Sequence, residues 1–158
     1  MRLYHGSNLP VTSPKILVSD RRLDFGPGFY LTSSLEQATR WAERTTERRG
    51  EGRPTVTVYE FDERLLERLK VLRFESADRK WLTFIAGNRQ GTGDGGSWDV
   101  VIGPVANDRT MPVIRLFLAQ VYTVSEALRR LLPQKLQDQV VFRTSRALEA
   151  LTLVEVIS

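Results

Sequence analysis

The sequence predicts a mixed α+β domain, and three observations carry that reading. Short β-branched runs such as "PTVTVYEF" (54–61), "WDVVIGPVA" (98–106) and "QVVFRT" (139–144) read as strands. Capped, helically periodic stretches lie between them in no regular βαβ order. The 158 residues, 41% hydrophobic and 27% charged, suit one compact domain spanning residues 1–158.

The elements follow in order. "RLYH" (2–5) opens as a short strand, and "PVTSPKIL" (10–17) reads as an extended, proline-punctuated connection. "GFYLT" (28–32) is the next strand, after a turn with two glycines and a proline. Ser33 and Glu36 form a Ser-x-x-Glu capping box, and Leu35, Ala38, Trp41, Ala42 and Thr45 recur at helical spacing, so a helix runs from there to near Gly50.

"PTVTVYEF" is a strand, "ERLLERL" a short helical piece and "KVLRF" another strand. "SADRKWLTFIAGNR" (76–89) is a helix with Trp81, Leu82, Phe84 and Ile85 as its apolar body. "QGTGDGGS" (90–97), with four glycines, is a flexible loop before the strand "WDVVIGPVA". The chain turns helical from Pro112, and Thr123 to Glu126 caps a second helix that Pro133 stops. "QVVFRT" is a late strand; "SRALEALTLVEVIS" gives a helical turn and a final strand.

Composition excludes several chemistries. Without cysteine there is no disulfide, thiolate nucleophile or cysteine-ligated metal, and a single histidine leaves little for a metal site. No segment approaches membrane-spanning length and no signal peptide opens the chain, so a cytoplasmic location without membrane partners is expected. A net charge of +4 permits nucleic acid or an acidic partner without selecting either. Arg44, Arg48, Arg49 and Arg53 cluster, but Glu43, Glu47 and Glu51 interleave with them as on a solvated helix face.

"DFG" (24–26) lacks every companion motif of a kinase, and neither a dinucleotide fingerprint nor a P-loop occurs. The sole histidine, His5, lies at the end of the first strand with Gly6 and Ser7 beside it. A residue without a β-carbon lets a ligand approach the backbone, and Ser7 adds a hydroxyl, a set that suits a flat, amide-bearing ligand. Tyr30 on its strand and Trp41 on the following helix are eleven residues apart and clamp a planar ring if they face each other; otherwise both belong to the core.

"LYHGS" followed by "FGPGFYLTSSLEQATRW" resembles the ADP-ribosyltransferase superfamily, in the His-Tyr-Glu branch that holds diphtheria-type toxins and poly(ADP-ribose) polymerases. "WLTFIAGNR", "DVVIGPVAND" and "DQVVFRT" extend the likeness, over most of the chain, to a small, mostly bacterial group of such domains. The resemblance implies that branch's fold, with split mixed or antiparallel sheets and flanking helices. It implies NAD as the substrate cofactor and no metal.

Residue by residue, it implies that His5 hydrogen-bonds a hydroxyl of the nicotinamide ribose, that Gly6 with Ser7 holds the carboxamide, and that Tyr30 and Trp41 sandwich the ring, with Gly28 and Arg22 in the cofactor-binding set. Arg22 meets the pyrophosphate or is a solvated loop arginine. The third signature position falls on Gln139, a departure from glutamate, rather than on Asp138, which strand alternation turns to the opposite face. Asn107 and Asp108 are turn residues or an acceptor-side pair.

The implied activity is NAD-dependent mono-ADP-ribosyl transfer to a protein or nucleic acid by a bacterial toxin or effector, with a cognate antitoxin or regulator as partner. An amide at the third position leaves two alternatives: an NAD glycohydrolase, or a non-catalytic module that binds NAD or ADP-ribose.

Overall fold

The computed structural model describes residues 1–16, 22–92 and 96–158. Leu17 of the proline-punctuated connection and residues 93–95 of the glycine-rich loop lie outside the described residues. The fold is α+β, with two sheets and several helices.

The first sheet contains β1 (Arg2–Ser7), β3 (Thr55–Phe61) and β7 (Leu151–Ile157) in the order β1-β3-β7, antiparallel throughout. The second contains β2 (Phe29–Leu31), β4 (Val71–Arg73), β5 (Val100–Pro104) and β6 (Asp138–Phe142), in the order β2-β6-β5-β4. Its β4–β5 pair is parallel. Leu3, Tyr59 and Phe61 of the first sheet share one buried cluster with Phe29, Leu31, Val140 and Phe142 of the second, so the two sheets close over a common core.

Helix α1 (Leu35–Arg49) covers the other face of the first sheet, where Ala38 and Ala42 pack on Val56, Val58 and Tyr4. Its cap differs from the expected box by one residue. Ser34 is the N-cap, accepting from the backbone N–H of Gln37 at 3.1 Å, because Ser33 is drawn to Asp138. Gly50 ends α1 in the left-handed conformation at φ 68°, which favours glycine.

The segment "ERLLERL" forms a 3-10 helix (Glu63–Arg68). Helices α2 (Arg79–Gln90), α3 (Met111–Leu118) and α4 (Val124–Leu131) cover the second sheet, burying Trp81, Leu82, Ile85, Ile114 and Leu131 against Val101 and Val141. Thr123 caps α4 through the backbone N–H of Glu126. A single turn, α5 (Ser145–Leu148), leads into β7.

Candidate functional site

The site begins where the two sheets meet. Tyr4 of β1 and Thr32, just after β2, exchange both backbone hydrogen bonds, at 2.8 and 3.0 Å. Because backbone direction alternates along a strand, Gly6 turns its N–H and C=O to that same side, away from β3. One residue before it, His5 reaches across the junction and donates from Nδ1 to the backbone carbonyl of Tyr30 at 2.7 Å.

That bond fixes the chemistry of His5. A carbonyl only accepts, so Nδ1 carries the proton and Nε2 of the neutral ring keeps its lone pair. Burial lowers the imidazole pKa to about 4, opposed by the Tyr30 hydrogen bond and aided by the Arg49 charge. The ring stacks on Phe29 with centroids 4.3 Å apart. His5 is thus a held, neutral hydrogen-bond acceptor at neutral pH.

Gly6 is required by packing. A β-carbon there would stand 2.0 Å from the carbonyl oxygen of Ala38 and 2.8 Å from the nitrogen of Ala42, so the missing side chain is the contact between β1 and α1. Where the sequence predicts a bare α-carbon facing a ligand, the structure turns it to α1 and leaves only the backbone groups on the junction side. Ser7 is buried and donates to Asn8 Oδ1 at 3.3 Å.

Tyr30 presents its ring while its hydroxyl is spent on the preceding turn. The hydroxyl donates to the Gly26 carbonyl at 2.6 Å and accepts from the Phe25 N–H at 3.0 Å. Burial raises its pKa, so it stays protonated. The turn is itself braced by the Asp24–Arg89 ion pair at 2.5 Å and by Gly26 at φ 80°. Gly28 has no space for a side chain, since a β-carbon would meet Val141 Cγ1 at 2.6 Å.

Gln139 lies on the same face of the second sheet as Tyr30. The pairs Tyr30↔Val141 and Gly103↔Gln139 set it two residues along β6 from Tyr30's own partner, a diagonal neighbour at roughly 7–8 Å. Its side chain is 3% exposed, and its Nε2 has no hydrogen-bond partner among the described residues. A buried amide left unpaired costs about 1–3 kcal/mol. Such a group, next to an aromatic ring, calls for an acceptor atom that the protein does not supply.

Asp138 has the structural task. Its carboxylate accepts from the Ser33 hydroxyl at 2.8 Å and N–H at 3.0 Å, which pins the strand end to the start of α1.

The remaining candidates lie apart from this group. Arg22 donates to the Gln90 carbonyl at 2.7 Å and so caps the end of α2. Trp41 lines a groove with Gln37, Arg40, Arg44 and residues 106–109, and Tyr30 does not line it. Asn107 is a turn residue, its Oδ1 accepting from the N–H groups of Arg109 and Thr110 at 3.0 Å, and Asp108 ties that turn to Arg44 of α1 at 2.7 Å. Sequence reasoning missed the Arg44–Asp108 link, for which no sequence signal exists at such separation.

Residues 1–153 match the model of the family described as "Protein of unknown function (DUF3990)". The chain belongs to the DUF3990 family. No curated protein and no solved structure matches it. Among the described residues of this DUF3990 chain, no helix is long and apolar enough to cross a membrane, and no group of three or more histidine or acidic residues could hold a metal.

Proposed function

We propose that this DUF3990 chain is an NAD-dependent mono-ADP-ribosyltransferase, acting at the junction of β1 and β2. One observation carries the reading: the unpartnered amide nitrogen of buried Gln139 shares a sheet face with Tyr30, whose carbonyl in turn holds His5. The resemblance of "LYHGS" and "FGPGFYLTSSLEQATRW" to the His-Tyr-Glu branch of ADP-ribosyltransferases supports it from the sequence side.

In this reading the neutral Nε2 of His5 accepts from a ribose hydroxyl, and the outward N–H and C=O of Gly6 take the carboxamide of nicotinamide. Tyr30 supplies a flat wall, and Gln139 orients a second ribose hydroxyl. The bond from nicotinamide nitrogen to ribose carbon breaks, and its electron pair leaves with nicotinamide, which becomes neutral. The acceptor forms the new bond to that carbon and gives up a proton to solvent. Because the leaving group is already cationic, the protein needs no general acid; its part is to hold the ring still and the ribose oriented.

Gln139 separates two outcomes. Glutamate would set a negative charge beside the positive charge that develops on the ribose, as carboxylates do in glycoside hydrolysis. A neutral amide supports that charge less, which favours slow transfer and makes NAD hydrolysis, or binding alone, the second reading. The deciding assay follows nicotinamide release and the fate of adenine-labelled NAD with wild-type protein and His5→Ala, with host lysate and without it. Label entering a nuclease- or protease-sensitive pool, lost in His5→Ala, supports transfer. Nicotinamide release with no labelled macromolecule supports the glycohydrolase, and intact NAD in every arm refutes both.

A further inference from the structure

Helix α1 has a second face beside the one that meets Gly6. Gln37, Arg40, Trp41 and Arg44 form one wall of a groove of about 220 Å³, and residues 106–109, between β5 and α3, form the other. Trp41 is half-buried, so part of its ring lies open to the groove. Arg40 donates to Glu36 at 2.9 Å and to Gln37 Oε1 at 3.2 Å; Arg44 donates to Asp108 at 2.7 Å. Among the described residues the Arg109 guanidinium has no ionic partner.

The lining therefore holds three guanidinium groups against one carboxylate, around an accessible indole. Exposed ion pairs such as Arg40–Glu36 and Arg44–Asp108 are weak, and a guanidinium keeps further N–H donors for a planar oxyanion. An acidic peptide would satisfy the arginines and leave the indole unused. An aromatic ring joined to a phosphate uses both, by stacking and by charge-assisted hydrogen bonds.

We propose that this groove takes one nucleotide unit, its base on Trp41 and its phosphate on Arg40, Arg44 and Arg109. The unit comes either from a free adenine nucleotide or from a base exposed in single-stranded nucleic acid. The site does not rest on the NAD reading, and neither arm of its test contains NAD.

The chain has three tryptophans, so a ¹H–¹⁵N spectrum shows three indole N–H signals, with Trp41→Phe identifying the one of interest. Trp81 is an internal control, being buried and donating to the Pro104 carbonyl at 2.9 Å. ADP and a single-stranded oligonucleotide of about eight nucleotides are titrated separately at low salt. The Trp41 signal moves while that of Trp81 stays. The Arg40→Ala/Arg44→Ala double variant weakens binding about tenfold or more, the size expected for lost charged hydrogen bonds. Oligonucleotide affinity falls with salt on a log–log slope of about −1 to −2.

Oligonucleotide binding at least about tenfold tighter than ADP identifies nucleic acid as the source; otherwise the free nucleotide is. The proposal is overturned if the Trp41 signal is unmoved by both ligands, or is moved equally by a polyglutamate peptide. It is also overturned if binding persists undiminished in the arginine variant while the Trp81 and Trp98 signals show the fold intact.

Discussion

Lowering the pH tests the site without any ligand, because between pH 4.5 and 6.5 the one imidazole is neutral in the fold and titrates in the unfolded chain. His5 is the chain's only histidine, and burial, aided by the Arg49 charge and opposed by the Tyr30 hydrogen bond, brings its pKa to about 4 from an ordinary 6.5. The unfolded chain therefore binds more protons than the folded one throughout that window, so stability rises with pH across it. The contribution is complete above pH 6.5 and is lost as pH falls from there toward 4.

At about 1.4 kcal/mol for each pKa unit the full difference is about 3 kcal/mol, and residual contact of the ring with water trims it to about 2–3 kcal/mol. Asp62 and Asp99, whose pKa values are lowered, act below this window. Urea unfolding from pH 7.5 to 4.5 on wild type and His5→Gln isolates the effect: wild type loses about 1 kcal/mol per pH unit below 6.5, and the variant loses markedly less. A carbon-detected titration of the one imidazole gives the pKa directly. A midpoint at or above 6.5, or a variant as acid-sensitive as wild type, refutes a desolvated, neutral His5.

Five substitutions extend the test. Gly6→Ala forces α1 off β1 and costs about 3 kcal/mol or more, seen as a melting temperature lower by about 6–12 °C; unchanged melting contradicts the close contact with Ala38. Gln139→Met replaces an unpaired buried amide with an apolar side chain of similar shape, so stability rises by about 1 kcal/mol in chemical denaturation while nicotinamide release is lost. Gln139→Glu should raise nicotinamide release from NAD about tenfold or more in a fluorescence or chromatographic assay. Tyr30→Phe leaves the Phe25 N–H and Gly26 carbonyl without their partner and costs about 1–3 kcal/mol, yet keeps nicotinamide release within about threefold because the ring remains; Tyr30→Ala loses it.

Much of the fold was legible because local signals agreed with the tertiary environment. The alternating residues of "PTVTVYEF" became β3, and the Thr123 cap and Pro133 bracketed α4. The α1 cap was misplaced by one residue because Ser33 and Ser34 are equivalent in local sequence; only Asp138, distant in sequence, decides between them. The parallel β4–β5 pairing had no sequence signal either.

At the candidate site, His5 could be singled out by residue type and by its Gly6 and Ser7 neighbours, whereas Gln139 and the role of Tyr30 came from the family resemblance. The reason for Gly6 could not be read from the sequence, since it lies in the Ala38 and Ala42 backbone. Nor could the engagement of Arg22 with Gln90, or of Asp138 with Ser33, be read from spacing, because these bonds depend on where whole elements pack.

The most direct test of the central claim is nicotinamide release from adenine-labelled NAD by wild type, His5→Ala and Gln139→Glu, with the label followed into macromolecules. The account predicts release and macromolecular labelling by wild type, silence from His5→Ala, and faster release from Gln139→Glu. NAD left intact by folded wild type and by Gln139→Glu alike would contradict it.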